Sequence, residues 1–169
     1  MNVDLHTQNV IHTNGLNGIV VRAGQGDTPD LGGPKLESLC DTDSYCVIKG
    51  TIPPGVAVPL HSHSDPESFY VLSGESQILT QIQGALTWQQ LQQGDFAHIP
   101  AGTKHAWRNV SHDGFEAIVI TTPKLGRFLR ELGDAANHSP EGKQRLSERY
   151  GYWMGNPEEN AAVGIVLPS

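Results

Sequence analysis

The sequence predicts an all-β sandwich or barrel with a helical extension at its C-terminus. Two patterns favour this fold class. Short strand-like runs separated by turn residues fill the chain from about residue 18 to residue 122, and after Pro123 the apolar residues recur at helical spacing. A length of 169 residues suits one domain with extensions rather than two domains. We therefore expect a single domain over 1–169, with an N-terminal arm and loop (1–44), a barrel core (45–122) and C-terminal helices and tail (123–169).

The predicted strands are short and alternate with clusters of Gly, Pro, Asn, Asp and Ser, which are the residues that turns require. Most of the gaps between them are also short, so neighbouring strands are expected to be antiparallel. Residues 21–34 are rich in Gly, Pro and Asp and are predicted to form a long loop. The predicted strands cover residues 18–22, 45–50, 56–63, 67–72, 76–83, 96–99, 105–110 and 116–121.

Two helices are predicted after the last strand. Residues 125–136 place apolar side chains at helical spacing among charged ones. A second helix is predicted to begin at Ser139, which can cap it, and to run to about Tyr150 before it stops at Gly151. Residues 152–169 contain two prolines and two glycines and are expected to form an irregular tail packed on the body.

Composition excludes several classes of partner. The chain has eighteen acidic and eleven basic residues, without a basic stripe, so we expect no binding to nucleic acid. No apolar run approaches the roughly 20 residues that a spanning helix needs, and the N-terminus lacks an apolar signal segment. These features predict a cytoplasmic protein that does not enter a membrane.

Cys40 and Cys46 are the only cysteines, and their spacing is not that of a CxxC motif. They could bridge across a hairpin. In a reducing compartment, however, free thiols are the commoner outcome, and we expect free thiols here.

Three histidines and one glutamate form a candidate metal site. His61 and His63 lie two apart on a predicted strand and therefore point to the same face. Residues 64–66 form a turn that brings Glu67 beside them, and closure of the barrel could bring His105 to the same point. Three imidazoles and a carboxylate suit one divalent transition metal (Fe, Mn, Ni, Co, Cu or Zn) rather than Ca or Mg. Four ligands would leave open positions for water, dioxygen or substrate, which is typical of a catalytic site.

The segments that carry these residues resemble the two motifs of the cupin superfamily. Residues 55–74 match G-x5-H-x-H-x3-E-x6-G, and residues 94–109 match G-x5-P-x-G-x2-H-x3-N, without a departure at any motif position. The resemblance covers about a third of the chain. It implies a double-stranded β-helix, the jelly-roll cupin barrel of about six to eight strands. It also implies that the metal ligands are His61, His63, Glu67 and His105.

Four further residues are candidates for a substrate pocket. Phe69 and Trp107 share parity with the ligands of their strands, so they could form an aromatic wall or belong to the core. Gln77 could face the cavity and orient a substrate. His98 could line the cavity or lie on the exterior, because alternation along its strand does not decide between the two. Side chains of opposite parity, which could cover the second face or a dimer interface, are Tyr70, Leu72 and Ile78.

The cupin fold hosts many activities, so it does not define the reaction. The plan of the chain, including Arg149-Tyr150-Gly151 at the end of a C-terminal helix, resembles that of small quercetinase-like cupins. This second resemblance implies a metal-dependent dioxygenase acting on a flavonol-like or other aromatic or enolic small molecule. It also implies that the metal binds a substrate oxygen and that Glu67 accepts a proton.

Two alternatives stay open at this point. One is a metal-assisted isomerase or lyase acting on a sugar or keto acid, which polar cavity walls would favour over the apolar walls expected of the dioxygenase. The other is a cupin that binds a small molecule at its metal without turning it over. In each case the exposed faces of a jelly roll make a homodimer the expected assembly.

Overall fold

The computed structural model describes residues 18–134 and 137–166. Within these ranges the chain forms two five-stranded antiparallel sheets and three short helices, which confirms the predicted double-sheet β fold. The first sheet has the strand order β1-β2-β9-β4-β7 and the second has the order β10-β3-β8-β5-β6. The elements are β1 Lys35–Asp41, β2 Cys46–Ile52, β3 Ala57–Ser62, β4 Glu67–Ser73, β5 Glu75–Ile82, β6 Ala85–Gln92, β7 Phe96–Ile99, β8 His105–Arg108, β9 Phe115–Thr121, α1 Pro123–Leu132, α2 Pro140–Tyr150, β10 Trp153–Met154 and α3 Pro157–Ala162.

The core lies between the two sheets and follows from alternation along the strands. In β4, Glu67, Phe69 and Val71 point inward and are buried, whereas Tyr70 between them is exposed. The other strands contribute in the same way. The fully buried apolar members of this cluster are Cys46, Ile48, Ile52, Phe69, Val71, Ile78, Leu91, Ile99, Trp107, Phe115, Ala117 and Val119.

Two strands differ from the sequence prediction at the N-terminal side. The run predicted as a strand over 18–22 belongs to neither sheet, because β-branched residues alone do not form a strand without a partner. Instead β1 forms within the segment expected to be an arm, and it pairs with β2. A register shift between Ser38 and Cys40 breaks the alternation of β1, which explains why the pattern did not reveal it.

β6 was also not predicted, since it is mostly exposed and carries little apolar patterning. It pairs with β5 along its whole length. The connection is a two-residue turn in which Gln83 and Gly84 both have positive φ, as a hairpin of this kind requires.

The helical extension is confirmed, with adjusted bounds. α1 begins earlier than predicted because Thr122 caps it, and it ends before Gly133. α2 ends at Gly151 as predicted, with that glycine in the left-handed conformation. The tail is more regular than expected, since it forms β10 and α3. Parts of the predicted arm (1–17), helix (135–136) and tail (167–169) lie outside the described residues.

The C-terminal tail covers the outer face of the second sheet. There a second apolar cluster joins Leu60, Leu79 and Ala106 from the sheet to Ile165 from the tail. Trp88 is half-buried against this cluster and donates a hydrogen bond of 2.9 Å to the backbone oxygen of Val163. The tail therefore packs on β3, which carries the predicted ligand His61 and leads directly to His63.

The cysteines are free thiols, as expected. Cys46 lies opposite Asp41, and Cys40 lies opposite Val47, so the two thiols do not face each other across the hairpin. Among the residues described, no helix has the length and apolarity needed to cross a membrane.

Candidate metal centre

His61, His63 and His105 converge inside one end of the barrel. One ring nitrogen from each lies within 4.8 Å of those of the other two. The ring centroids of His61 and His105 are 4.1 Å apart, and those of His63 and His105 are 5.0 Å apart. His63 and His105 are buried, and His61 is partly buried.

A bulge in β3 gives His61 its inward direction, and His63 follows directly after the end of the strand. The register between β3 and β8 shifts between Val58 and His61, at Pro59. Val58 therefore belongs to the inner core while Leu60 belongs to the outer cluster under the tail. His105 faces them from β8, paired directly with His61.

Backbone oxygens hold all three imidazoles in the same tautomer. Each Nδ1 lies within hydrogen-bond distance of a carbonyl oxygen two residues away, at 2.7 Å for His61 and 2.8 Å for His63 and for His105. A carbonyl only accepts, so each Nδ1 carries the donated hydrogen. When such a ring is neutral its lone pair lies on Nε2, which is the arrangement that a metal-binding imidazole needs.

Glu67 of β4 lies against two of the three clustered histidines. Its Oε2 lies 3.2 Å from His105 Nε2 and 3.6 Å from His63 Nε2, and the residue is only 8% exposed. Burial raises the pKa of Glu67, but its interactions with the His105 and His63 rings outweigh burial and hold that pKa at about 2. Glu67 is therefore a carboxylate at neutral pH.

The surroundings also set the protonation of the histidines. Burial, with His105 nearby, lowers the pKa of His61 to about 3, so its ring is neutral. For His63, burial acts to lower the pKa, but the Glu67 carboxylate outweighs it and the pKa is raised. A proton and a metal ion therefore compete for His63, and an ion that enters the cluster must displace the proton.

This donor set fits a metal ion. Three imidazole nitrogens lie close to one another, and the Glu67 carboxylate lies beside two of them. His63 Nε2 is fully buried and has no hydrogen-bond partner, which is costly unless a cation occupies the centre. Nitrogen and carboxylate ligands together suit a divalent transition metal.

The aromatic pocket candidates lie inside the barrel. Phe69 is 7% exposed and Trp107 is 4% exposed, with their ring centroids 4.7 Å apart. Trp107 also packs on Phe115, at 5.5 Å between centroids. These rings form the apolar part of the interior next to the histidine cluster, and they belong to the main core.

The other two pocket candidates lie outside the barrel interior. Gln77 shares the outer face of β5 with Leu79, and its side chain bonds with Gln90 at 3.1 Å and Arg108 at 2.7 Å. Ile78, expected on the outer face, is the residue of β5 that points into the core, because the pleat runs with the opposite parity to the one predicted. His98 is exposed on the edge strand β7, where its Nδ1 lies 2.9 Å from Ser68 Oγ.

Three buried polar residues next to the site were not anticipated. Asp65 and Tyr152 share a hydrogen bond of 2.8 Å beside His63, and Asn160 binds the backbone of β3 at Leu60. The sequence did not predict these contacts, because the partners lie 87 residues apart for Asp65 and Tyr152 and 100 residues apart for Leu60 and Asn160. No motif or spacing in the sequence of the tail marked these residues.

The fold and the sequence identify the family. Residues 49–121 match the family model described as "Cupin domain". The chain therefore contains a cupin domain over these residues, and the expectation drawn from its two motifs is confirmed.

Individual relatives extend this comparison. Quercetin 2,3-dioxygenase of Bacillus subtilis is 33% identical over 121 residues, which is 68% of this chain but 34% of that protein. Auxin-binding protein 1 of Arabidopsis thaliana is 31% identical over 87 residues, 48% of this chain and 44% of that protein. The chain thus spans less than half the length of these relatives. The polyketide cyclase RemF of Streptomyces resistomycificus has a similar fold, with a TM-score of 0.56 and 18% identity over 63% of this chain and 80% of that chain.

Proposed function

We propose that this cupin is a metal-dependent dioxygenase, similar to quercetinases, that acts on an aromatic or enolic small molecule. The observation that carries the proposal is the position of the histidine and glutamate cluster beside an apolar, aromatic interior. Phe69 lies two residues beyond Glu67 on β4, and Trp107 two residues beyond His105 on β8. The likeness to a quercetin 2,3-dioxygenase supports the same reaction class.

The side chains of the centre would act through position and charge. His61, His63 and His105 would hold the metal through Nε2, because each Nδ1 is already committed to a carbonyl. The ion would supply Lewis acidity toward an enolic oxygen of the substrate and a path for electrons to dioxygen. Glu67 is ionised, so its carboxylate can hold the ion or take the proton released from a substrate hydroxyl.

The surrounding walls support a flat organic substrate over a sugar. An isomerase or lyase acting on sugars would need polar groups inside the barrel to bind hydroxyls. Here the side chains that follow the ligands inward on β4 and β8 are Phe69, Val71 and Trp107, all of them buried and apolar. A substrate with aromatic or conjugated surface is therefore favoured.

A second candidate is metal-anchored binding without turnover. The 31% identity to an auxin-binding protein supports it, since that relative is named for binding a small molecule. The two candidates share the metal centre and differ in whether dioxygen is consumed.

Dioxygen uptake provides the test. The protein would be loaded separately with Fe, Mn, Co and Ni, and uptake would be followed with quercetin and a panel of smaller enols. The proposal predicts uptake with at least one metal and its loss in His105→Ala, while His98→Ala, an exposed histidine, serves as the matched control. Binding of these compounds without uptake for any metal would support the second candidate and contradict the first.

Glu67→Gln separates metal retention from proton transfer. The amide keeps the size of the side chain but is neither charged nor basic at neutral pH. We expect the variant to keep bound metal and to lose uptake by about 100-fold or more, the usual range for a general base. Uptake within a few-fold of wild type would show that Glu67 does not accept the proton.

A further inference from the structure

The C-terminal extension reaches the candidate metal centre through Asp65. Asp65 lies in the turn between β3 and β4 and is only 4% exposed. Its backbone oxygen accepts the Nδ1 hydrogen of His63 at 2.8 Å. Its carboxylate points to the extension, where Oδ2 accepts a hydrogen bond of 2.8 Å from the hydroxyl of Tyr152 and Oδ1 accepts one from the hydroxyl of Thr122.

Both partners of this carboxylate are themselves fixed. Thr122 caps α1, since its hydroxyl oxygen also accepts from the backbone N–H of Leu125 at 3.2 Å. Lys124 of the same helix places its Nζ 3.7 Å from Asp65 Oδ2 and 5.1 Å from the centre of the Tyr152 ring. The charge of Asp65 is therefore balanced from the extension rather than by solvent.

Tyr152 is held by aromatic packing on one side and contacts a predicted ligand on the other. Its ring centroid lies 4.5 Å from that of Phe128 and 5.1 Å from that of His63. The residue is 8% exposed, so the direction of its hydroxyl is set by the packing. That hydroxyl donates its hydrogen to Asp65, so it has no hydrogen left to donate to a substrate.

We propose that Asp65 and Tyr152 are positioning residues that set the tautomer and ring orientation of His63. The inference rests on the proposed metal centre. Tyr152 and Thr122 anchor the Asp65 carboxylate, and the anchored turn presents the Asp65 carbonyl to His63 Nδ1. His63 Nε2 is then directed at the centre as a lone pair. Outer partners of this kind commonly change metal affinity by about 10- to 100-fold when they are removed.

Tyr152→Phe, Asp65→Asn and the control Tyr150→Phe test the proposal. Tyr150→Phe removes a hydroxyl that donates to Glu131 at 2.7 Å, on the same extension but away from the cluster. Co(II) affinity and the visible spectrum of bound Co(II) would be measured for each variant. Nitrogen-15 NMR of the metal-free protein at about pH 8.5, above the ordinary histidine pKa, would report the His63 tautomer.

We expect Tyr152→Phe and Asp65→Asn to bind Co(II) about 10-fold more weakly, with an altered spectrum and a mixed His63 tautomer. The control should match wild type in all three readouts. Tyr152→Phe keeps the packed ring and should fold, so it alone tests the proposal if Asp65→Asn does not fold. Wild-type affinity, spectrum and tautomer in Tyr152→Phe would overturn this role while leaving the metal centre intact. A wild-type protein that binds no Co(II) would overturn the metal centre as well.

Discussion

Single residues decide whether the centre can bind a metal. The imidazoles are useful as ligands because their Nδ1 atoms are occupied by carbonyls, and Glu67 is useful because it stays ionised despite its burial. The approach of the three histidines and Glu67 could be predicted from sequence, since spacing and strand parity are local properties. Asp65 and Tyr152 could not, because their contact joins positions 87 residues apart. The prediction that Gln77 faces the cavity was wrong, because nothing in the local sequence fixes which face of β5 points inward.

Cys46 provides a prediction at this scale. It is fully buried, and burial, with Asp41 nearby, raises the pKa of its thiol from 9.0 to about 11. The thiol therefore stays protonated and unreactive in the folded protein at about pH 8. The stabilising effect of the neutral thiol is complete below pH 9 and is lost as the pH rises toward 11.

We expect a thiol reagent to label the native protein only at Cys40, which is half-buried, and to reach Cys46 after unfolding. The variant Cys40→Ser isolates Cys46. Rapid labelling of the folded variant near neutral pH would contradict the predicted burial and protonation.

At the scale of elements, β3 depends on the tail for its shape. The bulge at Pro59 leaves the N–H of Leu60 without a strand partner, and the Asn160 side chain accepts it at 2.8 Å. Gly155 donates to the Leu60 oxygen at 2.7 Å, and β10 pairs with the end of β3. Strands with regular alternation, such as β4, were predictable from sequence. Strands with a bulge or with little burial, such as β1 and β6, were not predictable. Alternation of apolar and polar residues is the only local signal of a strand, and these two strands lack it.

Asn160→Ala tests the link between the tail and β3. The substitution leaves the buried N–H of Leu60 and the part-buried backbone oxygen of Gly155 without the Asn160 side chain, while the Asn156 oxygen keeps the backbone N–H of residue 160. We expect a loss of about 2 to 3 kcal/mol in the free energy of unfolding, measured by urea denaturation.

Asn156→Ala is the matched control, because Asn156 caps α3 at an exposed position and its loss should cost about 1 kcal/mol. Equal losses for the two variants would show that Asn160 acts only within α3. Metal affinity should fall in Asn160→Ala and stay unchanged in the control, since His61 directly follows Leu60.

At the scale of the whole molecule, the two sheets differ in how their outer faces are covered. The tail packs on the second sheet, whereas the first sheet exposes Tyr70, Phe96 and Ile120, which are 51%, 63% and 49% exposed. Tyr70 and Phe96 are paired across β4 and β7, so they form one apolar patch. The double sheet could be predicted from the two motifs. The residues that cover the outer face of the second sheet lie within 152–166, where the sequence shows no motif.

We predict that a second copy of the chain covers this patch. The face also carries the ion pair of Lys49 and Glu116, at 2.7 Å, so it offers both charges to a partner related by two-fold symmetry. Light scattering coupled to gel filtration should give a dimer for wild type and a monomer for Phe96→Glu. Leu86→Glu, at a 41% exposed position on β6, should remain dimeric. A monomeric wild-type protein at about 100 μM would contradict the prediction, because a weaker dimer would lie outside the usual affinity of specific interfaces.

The most direct test of the central claim is elemental analysis of the purified, metal-loaded protein. The account predicts one transition-metal ion per chain in wild type and near-complete loss in His61→Ala and His105→Ala. Both variants should stay folded by circular dichroism, because the main core does not include the histidines. His98→Ala, which changes an exposed histidine outside the cluster, should keep the ion. Wild-type metal content in His61→Ala and His105→Ala would contradict the account.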